Sequence, residues 1–209
     1  MKTMKIILSL TLALVLLCGC SGSSVTAEDL AGQWTTIAPC SQEDADYLMD
    51  YMDLYPEERA FVDISTMSYV LTANFGADGS CSFAYEAEAN KACVRKFYEG
   101  VMDALYENRA QLSDLYGADT AAMSREEFDA LYAELYYQDS FETLMNELVN
   151  GAYDYDVLSE PLAEGTFKIV GENLMLTADG ETSSIGLALD GDTLTLTYID
   201  GTEVYTRVK

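Results

Sequence analysis

Three acidic side chains lie close together late in the chain: Asp154, Asp156 and Glu160. Two such carboxylates, one protonated and one ionised, are the minimum for acid–base hydrolysis of a glycosidic type. Their spacing does not set them apart from solvated loop charges. The chain has no histidine, which removes the commonest general base near neutral pH and the usual zinc ligand. A Ser-His-Asp or Cys-His relay is therefore impossible. The cysteines show no metal-ligand spacing, and no aspartate run has the spacing of an EF-hand loop. The expectation is a protein that is not an enzyme, with no catalytic set, no metal and no cofactor. Tyrosine is the remaining chemistry-bearing residue. Thirteen of the 15 fall between residues 47 and 155, and tyrosine is enriched where proteins meet partners.

Charge narrows the partners. There are 36 acidic and 11 basic residues, a net charge of −25. Such a surface repels nucleic acid and anionic headgroups, so neither is expected to bind. The acids are interspersed through a chain that is 49% hydrophobic, so the charge does not imply disorder.

The elements that must position any site are mostly strands. Asp78-Gly79, Asp179-Gly180, Asp190-Gly191 and Asp200-Gly201 suit tight hairpin turns. Alternation supports them, with Ile185, Leu187 and Leu189 on one face, then Leu194, Leu196 and Tyr198. Eight strands are predicted, at about 33–39, 68–75, 81–87, 165–171, 173–178, 182–189, 193–199 and 202–208. The fold class expected is α+β: an eight-stranded antiparallel up-and-down barrel, or a strongly curved sheet, with helical insertions at one end.

A first helix opens at Ser41, turns Tyr47, Leu48, Tyr51 and Met52 to one face, and stops at Pro56. An insert over about 90–155 reads as three helices. Val94, Phe97, Val101, Leu105 and Leu112 mark the first, which stops near Gly117. Ser124 with Glu127 is a capping box opening the second, which carries Phe128, Leu131, Tyr132 and Leu135. Phe141, Leu144, Met145 and Leu148 mark the third, with Gly151 as its terminator.

Lys2 and Lys5, a short apolar run and Leu17-Cys18-Gly19-Cys20 make an export signal. Its ending resembles the lipobox of bacterial lipoproteins, which implies cleavage before Cys20 and lipid attachment to its sulfur. Residues 1–19 are then the signal peptide and 20–28 a lipidated tether, including Ser21-Gly22-Ser23-Ser24. A lipid anchor at Cys20 would hold the protein on the extracytoplasmic face of a bacterial cell membrane. Within 29–209, Gly32-Gln33-Trp34 on the first strand and Arg207 on the last resemble the lipocalin-like (calycin) pattern. So do Phe75-Gly76-Ala77-Asp78-Gly79, Gly165-Thr166-Phe167-Lys168-Ile169 and Val204-Tyr205-Thr206-Arg207-Val208. The resemblance implies that Gly32, Trp34 and Arg207 close the base of the barrel, the guanidinium covering the indole. The helical insert has no counterpart in a minimal lipocalin.

Parity puts the turns at Asp78, Gly171 and Asp190 at one end of such a barrel. Both helical insertions and the turns at Asp179 and Asp200 go to the other. Tyr69, Tyr85 and Tyr198 would then point inward near that mouth and could line a ligand cavity. If one disulfide forms it joins Cys40 to Cys93; three inert thiols, with Cys81, are the alternative. The function expected is a non-enzymatic binding module for a small, partly apolar ligand. The alternative is a scaffold that docks an envelope protein through its acidic, tyrosine-rich helices.

Overall fold

The computed structural model describes residues 25–209. The signal, the lipobox and Cys20 lie outside the described residues.

Among the described residues eight strands form a closed antiparallel barrel in chain order. They are β1 Gly32–Pro39, β2 Ser68–Phe75, β3 Ser80–Tyr85, β4 Ala163–Val170, β5 Asn173–Ala178, β6 Glu181–Asp190, β7 Thr193–Thr197 and β8 Thr202–Arg207. The ring closes where β8 meets β1, with Trp34 opposite Arg207 and Thr35 opposite Thr206. Closure leaves no strand edge free to template another chain. Alternation sets the register: Leu187 faces Leu196 and Leu189 faces Leu194 across β6 and β7.

The four Asp-Gly pairs do not all turn in the same way. Asp179 and Gly180 both have positive φ, 52° and 82°, as a two-residue hairpin turn needs. At Asp78-Gly79 and Asp190-Gly191 only the glycine does, at 85° and 58°. Neither Asp200 nor Gly201 does, and that loop closes instead by the Tyr198 N–H donating to the Gly201 carbonyl at 2.8 Å.

A short helix, α1 Ala27–Leu30, precedes β1 and was not expected. It opens on a reciprocal capping box between Thr26 and Asp29. The β1–β2 connection holds α2 Gln42–Tyr51 and α3 Pro56–Arg59. The β3–β4 connection holds α4 Ala87–Glu107, α5 Ser113–Tyr116, α6 Arg125–Leu135, α7 Phe141–Ala152 and α8 Tyr155–Leu158. Among the described residues no helix is long and apolar enough to cross a membrane.

Several helix expectations need correction. Pro56 does not stop α2, which ends at Tyr51; it opens α3, where its fixed φ suits the first turn. The buried face of α2 is Ala45, Leu48 and Met49, with Met52 just beyond, while Tyr47 and Tyr51 are exposed. Leu112 is not on α4, because the chain leaves that helix at Asn108. Gly151 lies inside α7 rather than ending it. A Cβ there would sit 2.0 Å from the Tyr51 hydroxyl, so the glycine makes room for that side chain.

The chain forms two compact units. Among the described residues one comprises 25–36, Thr72–Phe83 and Pro161–Lys209; the other is Ile37–Leu71 and Ala84–Glu160. Each has its own apolar core. In the barrel unit Trp34, Phe75, Phe167, Leu174, Leu194, Leu196 and Tyr205 fill the interior. In the helical unit Val94, Phe97, Val101 and Leu105 of α4 meet Leu48 and Met52, Phe128 and Tyr132 of α6, and Leu144, Met145 and Leu148 of α7.

Candidate functional site

The most tightly organised place in the barrel unit is around Trp34, which is 0% exposed. Its indole N–H donates to the Leu30 carbonyl at 2.8 Å, tying β1 to α1. The Arg207 guanidinium carbon lies 4.1 Å from the indole centroid, a favourable cation–π geometry. The same guanidinium donates to the Ala31 and Asp29 carbonyls at 2.8 and 2.5 Å, and Asp192 is 3.7 Å away. Gly32 has φ +125°, and a Cβ on it would lie 3.3 Å from the guanidinium. The indole N–H and two guanidinium N–H groups bond to backbone carbonyls of the chain itself, which ties β8 and β1 to α1.

The three tyrosines proposed to line a cavity divide between the units. Tyr69 and Tyr85 belong to the helical unit, with ring centroids 5.4 Å apart. The Tyr69 and Tyr153 hydroxyls share a hydrogen bond of 2.8 Å, and Tyr153 stacks on Tyr47 at 5.5 Å. Tyr198 belongs to the barrel unit and packs against its core beside Tyr205, whose hydroxyl donates to Glu203 at 2.6 Å. An eight-stranded barrel can be filled by side chains or hold one small ligand. Here large apolar side chains fill it.

Cys40, Cys81 and Cys93 are all free thiols, the second of the two expectations. Cys40 donates to the Ser41 carbonyl at 3.4 Å, and the Ser68 hydroxyl donates to Cys93 at 3.9 Å. Burial pushes the Cys40 thiol up to about 11, which suppresses its thiolate. Asp154 caps α8 by accepting the Val157 N–H at 3.2 Å, while Asp156 and Glu160 are exposed. Among the described residues no group of three or more His, Cys, Asp or Glu side chains is placed to hold a metal ion.

One polar cluster escapes the sequence reading. Glu58 is 1% exposed, yet it is a carboxylate. The Tyr116 and Tyr132 hydroxyls donate to its Oε1, the latter at 2.9 Å, and the Tyr55 N–H donates to its Oε2 at 2.7 Å. Burial is the main cause that raises the phenols of both tyrosines above the ordinary range. They stay protonated donors, and hydrogen bonds alone compensate the buried carboxylate. No periodicity marks such a residue, because its partners come from elements far along the chain. The most exposed tyrosines, Tyr47, Tyr51, Tyr55 and Tyr137, all belong to the helical unit.

No protein-family model, no curated protein and no solved structure matches this chain.

Proposed function

We propose that this protein is an exported, lipid-anchored lipoprotein of lipocalin-like type, in which the barrel is a solid scaffold and the helical unit docks a protein of the cell envelope. The observation that carries docking over small-ligand binding is the occupation of the barrel interior by Phe75, Phe167, Leu174, Leu194, Leu196 and Tyr205. All four exposed tyrosines on the helical unit support the same reading, since tyrosine presents large amphipathic area at low entropic cost. Support for the lipocalin-like type comes from the closed eight-stranded meander and the Trp34–Arg207 contact beside Gly32. Support for the anchor comes from Leu17-Cys18-Gly19-Cys20 and the Ser/Gly tether after it.

Three measurements on the full chain test this. Replacing Cys20 with alanine should abolish both the lipid mass and membrane retention; retention without lipid would overturn the anchor. Photo-crosslinkers at Tyr51 and Tyr55 should join one defined envelope protein, while crosslinkers at Lys168 and Val204 on the barrel should not. A lipophile that co-purifies stoichiometrically with the detergent-extracted protein in native mass spectrometry would overturn docking and restore small-ligand binding.

A further inference from the structure

The helical unit carries an open groove of about 770 Å³ between α6 and α7. Ala130, Ala133 and Phe141 give it an apolar floor, and Glu126, Glu134 and Asp139 rim it. Among the described residues none of these three carboxylates has a cationic partner, whereas Asp129 nearby is held by Arg125 at 2.7 Å.

Tyr137 also lines this groove and is 96% exposed. It occupies the residue after the cap of α6. Its N–H donates to the Glu134 carbonyl at 3.0 Å and the next N–H, of Gln138, to the Ala133 carbonyl at 2.9 Å. That pair of bonds is a Schellman closure, which puts Tyr137 in the left-handed region at φ +57°. Glycine enters that region freely, and Gly117 does so after α5 at φ +64°. A bulky side chain there opposes the backbone, and one so exposed recovers almost nothing by packing. Folding therefore gives no reason for a tyrosine at this position; a contact outside the chain does.

We infer that the α6–α7 groove docks a basic segment of the protein partner, with an arginine or lysine over the Tyr137 ring and between Glu126, Glu134 and Asp139. The occupant follows from complementarity: unpaired carboxylates and an aromatic face both attract a cation, and the guanidinium does both at once. The alanines of the lining receive the aliphatic stem or an apolar neighbour, which a free metal ion would not use. This inference rests on the docking reading above and names the partner's chemistry.

The test uses the purified full chain and a fluorescent peptide of alternating arginine and leucine, with its glutamate–leucine counterpart as control. The arginine peptide should bind, and binding should weaken as salt rises. Tyr137→Gly should weaken it about tenfold or more while melting at the same temperature as the parent or higher. The double variant Glu134→Gln/Asp139→Asn should weaken it similarly, and Glu181→Gln on the barrel should leave it unchanged. Unaltered affinity in Tyr137→Gly, equal binding of the glutamate peptide, or an equal loss in Glu181→Gln would each overturn the groove. A crosslinker at position 137 in cells separates the two proposals. Crosslinks from Tyr51 and Tyr55 but none from 137, with unaltered peptide affinity, would remove the groove and leave docking standing. Peptide binding through Tyr137 with no crosslink from any helical position would do the reverse.

Discussion

Each unit holds an inward carboxylate through tyrosine, and the two sites solve different problems. In the barrel, Glu203 and Tyr205 sit two positions apart on β8, so alternation alone places both on the inner face, with the hydroxyl 2.6 Å from the carboxylate. Glu203 keeps part of its surface in water. In the helical unit Glu58 is almost wholly enclosed, and its phenol partners lie 58 and 74 residues away in sequence. The barrel's pair is a local consequence of strand geometry. The helical one ties α3 to α5 and α6, and it exists only once those elements have packed. A polar group of the second kind should matter more when lost, because it is itself enclosed and holds two phenols and a backbone N–H at once.

The largest loss is expected at the barrel's own anchor, which sets the scale. Trp34→Ala should cost about 3–5 kcal/mol in denaturant unfolding, through the lost indole volume and the lost guanidinium contact. A loss near 1 kcal/mol would show that the indole is not a packing anchor. Glu58→Ala should follow at about 2–4 kcal/mol, because it removes the acceptor of the buried Tyr132 hydroxyl and the half-buried Tyr116 hydroxyl. Glu203→Ala should cost about 1 kcal/mol, since Glu203 is only half-buried and the Tyr198 hydroxyl can serve its phenol partner. Equal losses at positions 58 and 203 would break the comparison between the units.

Alkaline pH sharpens it further. A phenol whose folded pKa is raised stays neutral when the unfolded chain has begun to ionise, so its stabilisation is complete below about 10 and falls as pH rises from there. Burial is the first cause that pushes Tyr136 and Tyr155 of the helical unit up to about 12, so their contribution should fade from about pH 10 to about 12. Tyr69, Tyr98, Tyr116, Tyr132 and Tyr153 in the same unit are raised as well, against only Tyr198 and Tyr205 in the barrel. Circular dichroism melts taken from neutral pH upward should show the helical signal failing before the sheet signal. Simultaneous loss would mean that the tyrosines of the two units contribute alike. The smallest effect is expected at Tyr137, where glycine should change stability by only about 0–1 kcal/mol in the favourable direction, because relief of the left-handed backbone outweighs the added freedom of the unfolded chain.

Strand residues were legible because each strand repeats one simple rule. Leu174 and Leu176, Ile185 and Leu187, and Leu194 and Leu196 alternate inward just as their spacing implies. Ser124 with Glu127 marked the start of α6 for a similar reason, since a capping box is complete within four residues. The helical unit was harder to read. Tyr47 and Tyr51 share a helical face with Leu48 and Met52, yet only the latter two are buried; an amphipathic tyrosine satisfies the same periodicity with its ring inside or out. Gly151 resembles a helix stop, and only the approach of the Tyr51 hydroxyl shows what it does.

The sequence by itself determined the strand count and the turn positions, because these depend on short-range alternation and on chain order, while the pairing of Trp34 with Arg207 is what the lipocalin-like resemblance implied. Tertiary structure alone decided which large side chains pack the barrel core, that Cys40 and Cys93 are free thiols, and that Glu58 is held by Tyr116 and Tyr132. Those outcomes turn on how side-chain volumes and polar atoms from distant segments share one space, which no local spacing encodes. Tyr137 shows the division in a single residue. Its neighbours specify a helix end that favours glycine, and only the folded chain shows that the tyrosine kept there stands almost wholly in solvent, beside an unpaired acidic rim.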